Sequence, residues 1–325
     1  MKKALVVYSG GLDSILAVKI LEKQELSVTA LSYSSYFFDT KEAERTARLM
    51  EIPLIKKDIS KRQLAVVKKP TCGYGKALNP CIDCHGLMFR VAKEVAEEEG
   101  FDLIATGEVL GQRPFSQNRN ALQRVEKVAG LEKQILRPLS ARLLPETIYE
   151  KKGIVQREGL LDISGRSRQR QLQLAKEFGV EYFPSPAGGC RLTEEEFGKK
   201  AKKLLDNDPL PQKNDFQLLR IGRHYWLDLK GEDLNSEKEY AIHLVLGRNF
   251  LENEELKKLA RANDVLLELK EIVGPTALLV NKKNFSLEEL RLVLEQTKKL
   301  VLDRTKVAGR YSPEEVDWIY LSENI

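Results

Sequence analysis

The first half of the chain alternates between short, continuous apolar runs and longer stretches whose apolar residues recur every three or four positions. Residues 5–8, 28–33, 53–57, 102–105 and 134–136 have the length and apolar content of buried strands. Residues 14–22, 41–50 and 87–98 have helical spacing, the last through Leu87, Val91 and Val95, and residues 58–80 read as a loop-rich stretch. Strands separated by helical segments predict a parallel sheet with helices on both faces, so the expected fold class is α/β. Ligands of such sheets collect at the carboxyl ends of the strands. Ser9-Gly10-Gly11-Leu12-Asp13-Ser14, the residues after Tyr33, and Thr106-Gly107-Glu108 all fall on that edge.

Helical spacing returns over residues 146–152, 169–178 and 194–205, and Asn207-Asp208-Pro209-Leu210-Pro211 then breaks the pattern as a linker. Beyond it, residues 216–221, 225–229 and 240–246 read as strands, with further strands near Val265 and Leu278. Residues 253–261 and 287–300 read as helices. The expected organisation is a parallel-sheet domain over 1–208 and a smaller α+β domain over 209–325.

Composition changes this picture little. A chain of 325 residues, 42% hydrophobic and 31% charged, fits a globular protein with more than one core. No apolar run approaches the roughly 20 residues of a membrane span. Met1-Lys2-Lys3 leads into the first strand without a signal-like segment, so a cytoplasmic location and no membrane partner are expected. The net charge of +5 permits a polyanionic partner without requiring one. Four cysteines in such a setting read as metal or redox chemistry more than as a disulfide framework.

The residues at the strand edge carry the chemistry. Gly10 and Gly11 let successive backbone amides turn inward as an anion nest at a helix N-terminus. Ser9 and Ser14 can donate hydroxyls to phosphate oxygens. The lysine of a Walker loop is missing, which argues against γ-phosphate transfer. Asp13 beside such a nest suits Mg2+ held between carboxylate and phosphate. The plain alternative is a tight strand-to-helix turn.

Asn79-Pro80-Cys81-Ile82-Asp83-Cys84-His85 opens a helix with C-x-x-C, which sets both sulfurs on one side, where the helix dipole lowers a thiol pKa. Far downstream stands Ser185-Pro186-Ala187-Gly188-Gly189-Cys190. Cys81, Cys84 and Cys190 could hold a [4Fe–4S] cluster with one iron free of protein ligands. A zinc site completed by Cys72 or His85, or a pair of redox thiols, stands as the alternative.

Ser9 to Ser14 resembles the PP-loop of the ATP pyrophosphatase superfamily, whose members adenylate a substrate oxygen and release pyrophosphate. NPCIDC with the distant GGC resembles the cysteine pattern of PP-loop 2-thiouridine synthetases, where three cysteines hold a cluster or two carry sulfur. Ala105-Thr106-Gly107-Glu108-Val109-Leu110-Gly111-Gln112, with Ser116-Gln117 and Arg137-Pro138-Leu139, resembles 4-thiouridine synthetases. The resemblance covers residues 4–200. It implies that Ser9, Gly10, Gly11, Asp13, Ser14, Tyr33, Gly107 and Arg137 bind ATP, that Asp13, Cys81 and Cys190 take part in catalysis, and that Cys81, Cys84 and Cys190 hold the cluster. It further implies tRNA as the substrate, with a uracil carbonyl oxygen attacking the α-phosphate before sulfur displaces AMP. Sulfide or a cysteine desulfurase would supply the sulfur, and a homodimer is an expected assembly. Glu108 reads as a Mg2+ or nucleotide contact, and Gln112, Ser116 and Gln117 as the lining of an entrance. The RNA-binding domain that precedes the loop in 4-thiouridine synthetases, the rhodanese-like extension, and the C-terminal β-barrel of the 2-thiouridine enzymes are not evident.

Basic residues offer RNA contacts in two places. Arg166, Arg168 and Arg170 are spaced to clamp phosphates. Arg220, Arg223 and Arg248 lie among Tyr225, Trp226 and Tyr240, a mixture that suits looped or single-stranded RNA through charge and stacking. Residues 216–223, with Leu246-Gly247-Arg248-Asn249 and Glu252-Asn253, loosely resemble the NFACT-R domain of ribosome-associated RNA-binding factors. Two rival functions stand beside tRNA thiolation: a PP-loop sulfurtransferase or amidotransferase acting on a small molecule, and an RNA-binding protein that only senses ATP.

Overall fold

The computed structural model describes residues 1–186, 189–229, 240–282, 285–286, 288–306 and 308–321. The chain divides into two compact units, Met1–Gly198 and Lys199–Ile325.

The first unit runs β1 (Lys3–Val7), α1 (Leu12–Glu22), β2 (Ser27–Ser34), α2 (Lys41–Leu49), β3 (Leu54–Asp58), α3 (Ser60–Lys68), α4 (Cys81–Glu99), β4 (Leu103–Thr106), α5 (Arg119–Ala129), α6 (Ile148–Lys151) and α7 (Gln169–Glu177). The four strands form a parallel sheet in the order β3-β2-β1-β4, with Ala4 opposite both Val28 and Leu103. Side chains alternate across the pleat. Ala4, Val6 and Tyr8 enter a core shared with α1, while Leu5 enters the opposite core, built on Leu87, Val91 and Val95 of α4. Both faces are covered, which is why these strands read as continuous apolar runs. Helix α1 is buried on nearly every side, through Leu12, Ile15, Leu16, Ala17, Val18, Ile20 and Leu21.

The order of strands places the site. The chain walks outward from β1 to β2 and β3, then returns to lay β4 on the free side of β1. The reversal falls between β1 and β4, and the carboxyl ends of those strands open the crevice where such sheets bind ligands.

Residues 134–136 do not form a strand; Leu136 makes a single parallel bridge to Ala105. Two helices of this unit were not anticipated. Helix α3 lies within the stretch read as loop, and α5 carries a legible signature in its caps. The Asn118 side chain accepts from Ala121 N at 2.9 Å at its start, and Gly130 takes a left-handed φ of 65° at its end.

The second unit takes up α8 (Glu195–Asn207) from Lys199 onward, then α9 (Lys213–Leu218), β5 (Arg223–Leu229), β6 (Tyr240–Leu246), α10 (Phe250–Leu259), β7 (Val265–Leu269), β8 (Ala277–Val280), α11 (Arg291–Leu302) and β9 (Trp318–Leu321). Its strands form an antiparallel sheet in the order β5-β6-β8-β7-β9. Leu244, Leu267 and Leu279 on one face pack against Val293 and Val301 of α11. Val245, Leu266 and Leu278 on the other pack against Leu218 of α9 and Leu256 of α10. The strand expected at 216–221 is instead the end of α9 and the turn that follows it. A capping box between Gln212 and Asp215, with Gln212 N donating to Asp215 Oδ2 at 2.6 Å, starts a helix where the apolar pattern alone suggests a strand. Among the described residues no helix is long and apolar enough to cross a membrane.

Candidate nucleotide and thiol site

The loop after β1 is shaped by close backbone approach. Gly10 has φ of 79°, and a Cβ on it would stand 2.6 Å from the backbone carbonyl of Glu42 in α2. Gly11 leads α1 in extended conformation, and no side chain caps the helix. Ser14 Oγ donates to Gly11 O at 2.8 Å, and Ser9 Oγ accepts from Gly11 N at 3.3 Å. Gly107, just past β4, closes the other wall of the crevice. A Cβ there would lie 2.5 Å from Ser14 N and 2.6 Å from the Asp13 carbonyl. The two glycines thus leave the first amides of α1 open at the end of the helix that favours anions.

Asp13 sits beside them. Its Oδ2 accepts from Gln112 Nε2 at 3.0 Å, while its Oδ1 is buried with no hydrogen-bond partner. Burial raises the carboxyl pKa, against the opposing influence of Gln112, Arg168, Gln171 and Arg113. Arg168 Nε is also buried and unpartnered, and Gln171, fully buried, completes no hydrogen bond of normal geometry through either amide atom. Each buried orphan costs about 1–3 kcal/mol, so their convergence at a crevice marks a place prepared for a polar ligand. The unpartnered carboxylate oxygen is an oxygen ligand of the kind Mg2+ takes, and the uncapped amides beside it would face an anion.

Three expected ATP or Mg2+ residues have partners inside the protein, though Arg137 keeps a buried Nη2 without one. Tyr33 is buried, and its hydroxyl donates to Met88 O at 2.6 Å; burial holds its phenol well above the ordinary range. Arg137 is 3% exposed; its Nε donates to Glu108 Oε2 at 3.1 Å and its Nη1 to Glu126 Oε1 at 2.5 Å. Glu108 Oε1 lies 2.8 Å from His85 Nδ1. Burial pushes the Glu108 carboxyl up, but Arg137 and His85 outweigh it and hold it below the usual carboxylate range. The carboxylate only accepts, so the proton lies on His85 Nδ1.

Cys81 is the first residue of α4, and Asn79 Nδ2 lies 3.1 Å from its Sγ. Cys84 is buried; Gln63 Nε2 lies 3.5 Å from its sulfur. Burial pushes the Cys84 thiol up to about 12, with the negative charges of Cys190 and Cys81 adding to the rise. This reverses the lowering expected from the helix N-terminus. The Cys190 thiol is likewise raised by burial and by Cys81, with Arg113 opposing. The three sulfurs of the C-x-x-C and GGC segments therefore stand within each other's fields, and Arg113 acts on both Cys190 and Asp13. Among the described residues no three His, Cys, Asp or Glu converge tightly enough to hold one metal ion. Cys72 belongs to a different feature: the amides of Thr71 and Cys72 donate to the Asp83 carboxylate at 3.1 and 2.9 Å. Ala187 and Gly188 of the GGC segment lie outside the described residues.

The expected RNA contacts are scattered. Arg166 is exposed, Arg170 pairs with Asp162, and Arg168 faces Asp13. In the second unit Arg220 and Arg223 are exposed, and Arg248 pairs with Glu252 at 2.5 Å. Trp226 stacks on His243 with ring centroids 4.6 Å apart, and Lys203 Nζ stands 5.1 Å from the Trp226 ring. His224 and His243 share a 3.1 Å hydrogen bond, and burial pushes both imidazoles down to about 3, so neither adds positive charge. Gln171, Arg113 and the His85–Glu108 contact are parts of the first unit's site that sequence reasoning did not assemble.

Residues 1–155 match the family model described as thiamine biosynthesis protein (ThiI). The chain is 23% identical to the tRNA-specific 2-thiouridylase MnmA 2 of Fusobacterium nucleatum subsp. nucleatum, across 97% of this chain and 93% of that protein. It is 31% identical to a "Probable tRNA sulfurtransferase" of Moorella thermoacetica across 50% of this chain and 41% of that protein. A solved structure, a 4-thiouridine synthetase–RNA complex with bound ATP, aligns with 67% of this chain and 52% of its own at 21% identity and a TM-score of 0.40. The chain thus spans nearly all of the first relative and less than half of the second.

Proposed function

We propose that this PP-loop protein, thiouridine synthetase-like in its first unit, is an ATP-dependent tRNA sulfurtransferase. One observation carries the reading: buried, unpartnered polar atoms of Asp13, Arg168 and Gln171 converge on the crevice between β1 and β4, and Arg113 acts on both that cluster and Cys190. A site for phosphates and a site for sulfur are then neighbours.

In this reading the open amides at the start of α1 and the hydroxyls of Ser9 and Ser14 would receive the triphosphate, and Asp13 would hold Mg2+, which would supply positive charge to its phosphates. The uracil carbonyl oxygen attacks the α-phosphorus, and pyrophosphate leaves with the electron pair of the broken P–O bond. Arg168 and the nest amides oppose the charge that builds on the phosphoryl oxygens. Hydrosulfide then adds to the activated carbon and AMP departs with the former carbonyl oxygen, leaving the C=S bond. Cys81, Cys84 and Cys190 would hold a [4Fe–4S] cluster; when bound, such a cluster supplies an iron position that keeps sulfide deprotonated. Exposed Arg166, Arg220 and Arg223 would meet RNA phosphates.

The test compares tRNA nucleosides by mass spectrometry in cells with and without the gene, and measures iron in protein purified without oxygen. Loss of one thionucleoside, together with tRNA-dependent pyrophosphate release by the iron-containing protein, is the expected result. Pyrophosphate release with a small molecule and no tRNA would replace the reading with the small-molecule rival. RNA binding with no pyrophosphate release would replace it with the ATP-sensing rival.

A further inference from the structure

The segment that follows β4 touches both halves of the site. Gly107 abuts the backbone of Asp13 and Ser14 at its start, and Gln112 donates to Asp13 Oδ2 near its end. Between them, Glu108 reaches in the other direction. It is 6% exposed, and its two oxygens are taken by His85 Nδ1 and Arg137 Nε. His85 follows Cys84 and lies one helical turn beyond Cys81. Arg137 is anchored in turn by Glu126 of α5. A continuous path of backbone contact and hydrogen bonds therefore runs from the phosphate loop, through residues 107–112, to the first turn of the cysteine helix.

We propose that Glu108 and His85 are positioning residues that couple the two reaction centres: Glu108, fixed at the strand end abutting the phosphate loop, grips α4 through His85 and sets where Cys81 and Cys84 stand relative to the nucleotide. This rests on the reading of residues 9–14 as the nucleotide cradle. It also gives Glu108 a task other than metal binding. Arg137 and His85 satisfy the carboxylate on both sides, and the buried guanidinium needs that charge as its partner. Anything that draws Asp13 toward Mg2+ pulls on Gln112 and on the strand end beside it, and so on α4. The arrangement lets nucleotide binding at the loop be felt at the first turn of the thiol helix, where His85 meets Glu108.

The His85 link can be cut without disturbing the Glu108–Arg137 pair, since the His85 side chain is 28% exposed. Hydrogen exchange is followed by mass spectrometry in the full chain as purified, with and without α,β-methylene-ATP and Mg2+. In the unaltered protein the analogue is expected to slow exchange in residues 9–14 and, by about fivefold or more, in the first turn of α4, a typical size for coupling between sites. His85→Ala is expected to keep the protection of residues 9–14 and lose that of α4. His85→Asn, whose amide nitrogen reproduces the position of Nδ1, is expected to restore it. In turnover, His85→Ala is expected to release more pyrophosphate per thionucleoside formed, and His85→Asn to return that ratio to its starting value. Protection of α4 that survives His85→Ala overturns the coupling. So does loss of protection in both segments together, which would mark His85 as structural only. If the analogue protects neither segment in the unaltered protein, the nucleotide reading of residues 9–14 falls, and the coupling with it. If both segments respond as expected but no tRNA supports pyrophosphate release, the tRNA function falls and the coupling stands.

Discussion

In the second unit charged side chains answer one another. Arg248 meets Glu252, Lys282 meets Asp208 and Asp215, Arg261 meets Asp215, and Lys257 meets Glu254 and Glu268. Beside residues 9–14 of the first unit, buried polar atoms lack a hydrogen-bond partner of normal geometry: Asp13 Oδ1, Arg168 Nε and both amide atoms of Gln171. The difference separates architecture from function. A folded chain closes nearly all of its buried polar groups, so a charge with a partner explains itself. Orphans also occur in the second unit, at His224 Nε2 and Trp226 Nε1, but on uncharged rings; beside the loop they include a carboxylate and a guanidinium, at a standing cost to stability.

The largest effect expected from this contrast lies at Asp13. Asp13→Asn removes the charge that would face Mg2+, and tRNA-dependent pyrophosphate release should fall by about 10²–10³-fold, the scale for losing one electrostatic contact to a developing phosphoryl charge. Stability should move the other way. The carboxyl pKa is raised above its model-peptide value of 3.8 by burial, so the folded chain keeps that proton to a higher pH than the unfolded chain does. Stability from this group therefore declines as pH rises through the window between the two pKa values. The Asn variant should lack that decline and melt at the same temperature or higher at neutral pH. A variant that is both less stable and fully active would dissolve the distinction between the two regions.

Asp215 is the counterpart in the second unit. It is 1% exposed, accepts from Gln212 N at 2.6 Å at the start of α9, and binds Arg261 at 2.8 Å as well as Lys282. Asp215→Ala removes the acceptor at the start of α9 and a partner from each of two part-exposed cations, Lys282 keeping Asp208, and should cost about 1–3 kcal/mol, read as a lowered midpoint in denaturant titration. The two aspartates should thus shift stability in opposite directions. If Asp215→Ala leaves the midpoint in place, the ion pairs of this unit are ornament on a stable sheet.

The same contrast explains what could be read in advance. The parallel sheet was legible because strands covered on both faces appear as unbroken apolar runs, as at residues 5–8 and 28–33. The loop at residues 9–14 was legible as a candidate because its glycines, serines and aspartate are contiguous. The partners of Asp13 were not, because the topology supplies them from elsewhere: Gln112 is 99 positions away in sequence, and Arg168 and Gln171 arrive from the start of α7. The raised Cys84 thiol was misjudged for a related reason. The helix N-terminus is visible in sequence, whereas burial around Cys84 is a property of the packed core. In the second unit, the helix at 213–218 was lost to an apolar pattern that a single cap residue, Asp215, overrides.

The smallest effect is expected at Arg248, which the sequence sets among aromatic residues as an RNA contact. Its guanidinium lies against Glu252 through Nε at 3.0 Å and Nη2 at 2.5 Å, with half of the side chain exposed. An exposed pair of this kind contributes less than about 1 kcal/mol, and its neutralised charge releases few counterions when RNA binds. Plotting log Kd for tRNA against log salt concentration measures that directly. Arg248→Ala should leave the slope unchanged, whereas Arg166→Ala, which removes an exposed cation in the first unit, should flatten it by about 0.7–0.9. A flatter line for Arg248→Ala would mean that Glu252 releases its arginine to RNA. The closed ion pairs of the second unit would then be a resting state of an RNA surface, and the line between the two units would have to be redrawn at Glu252 rather than at the sheet.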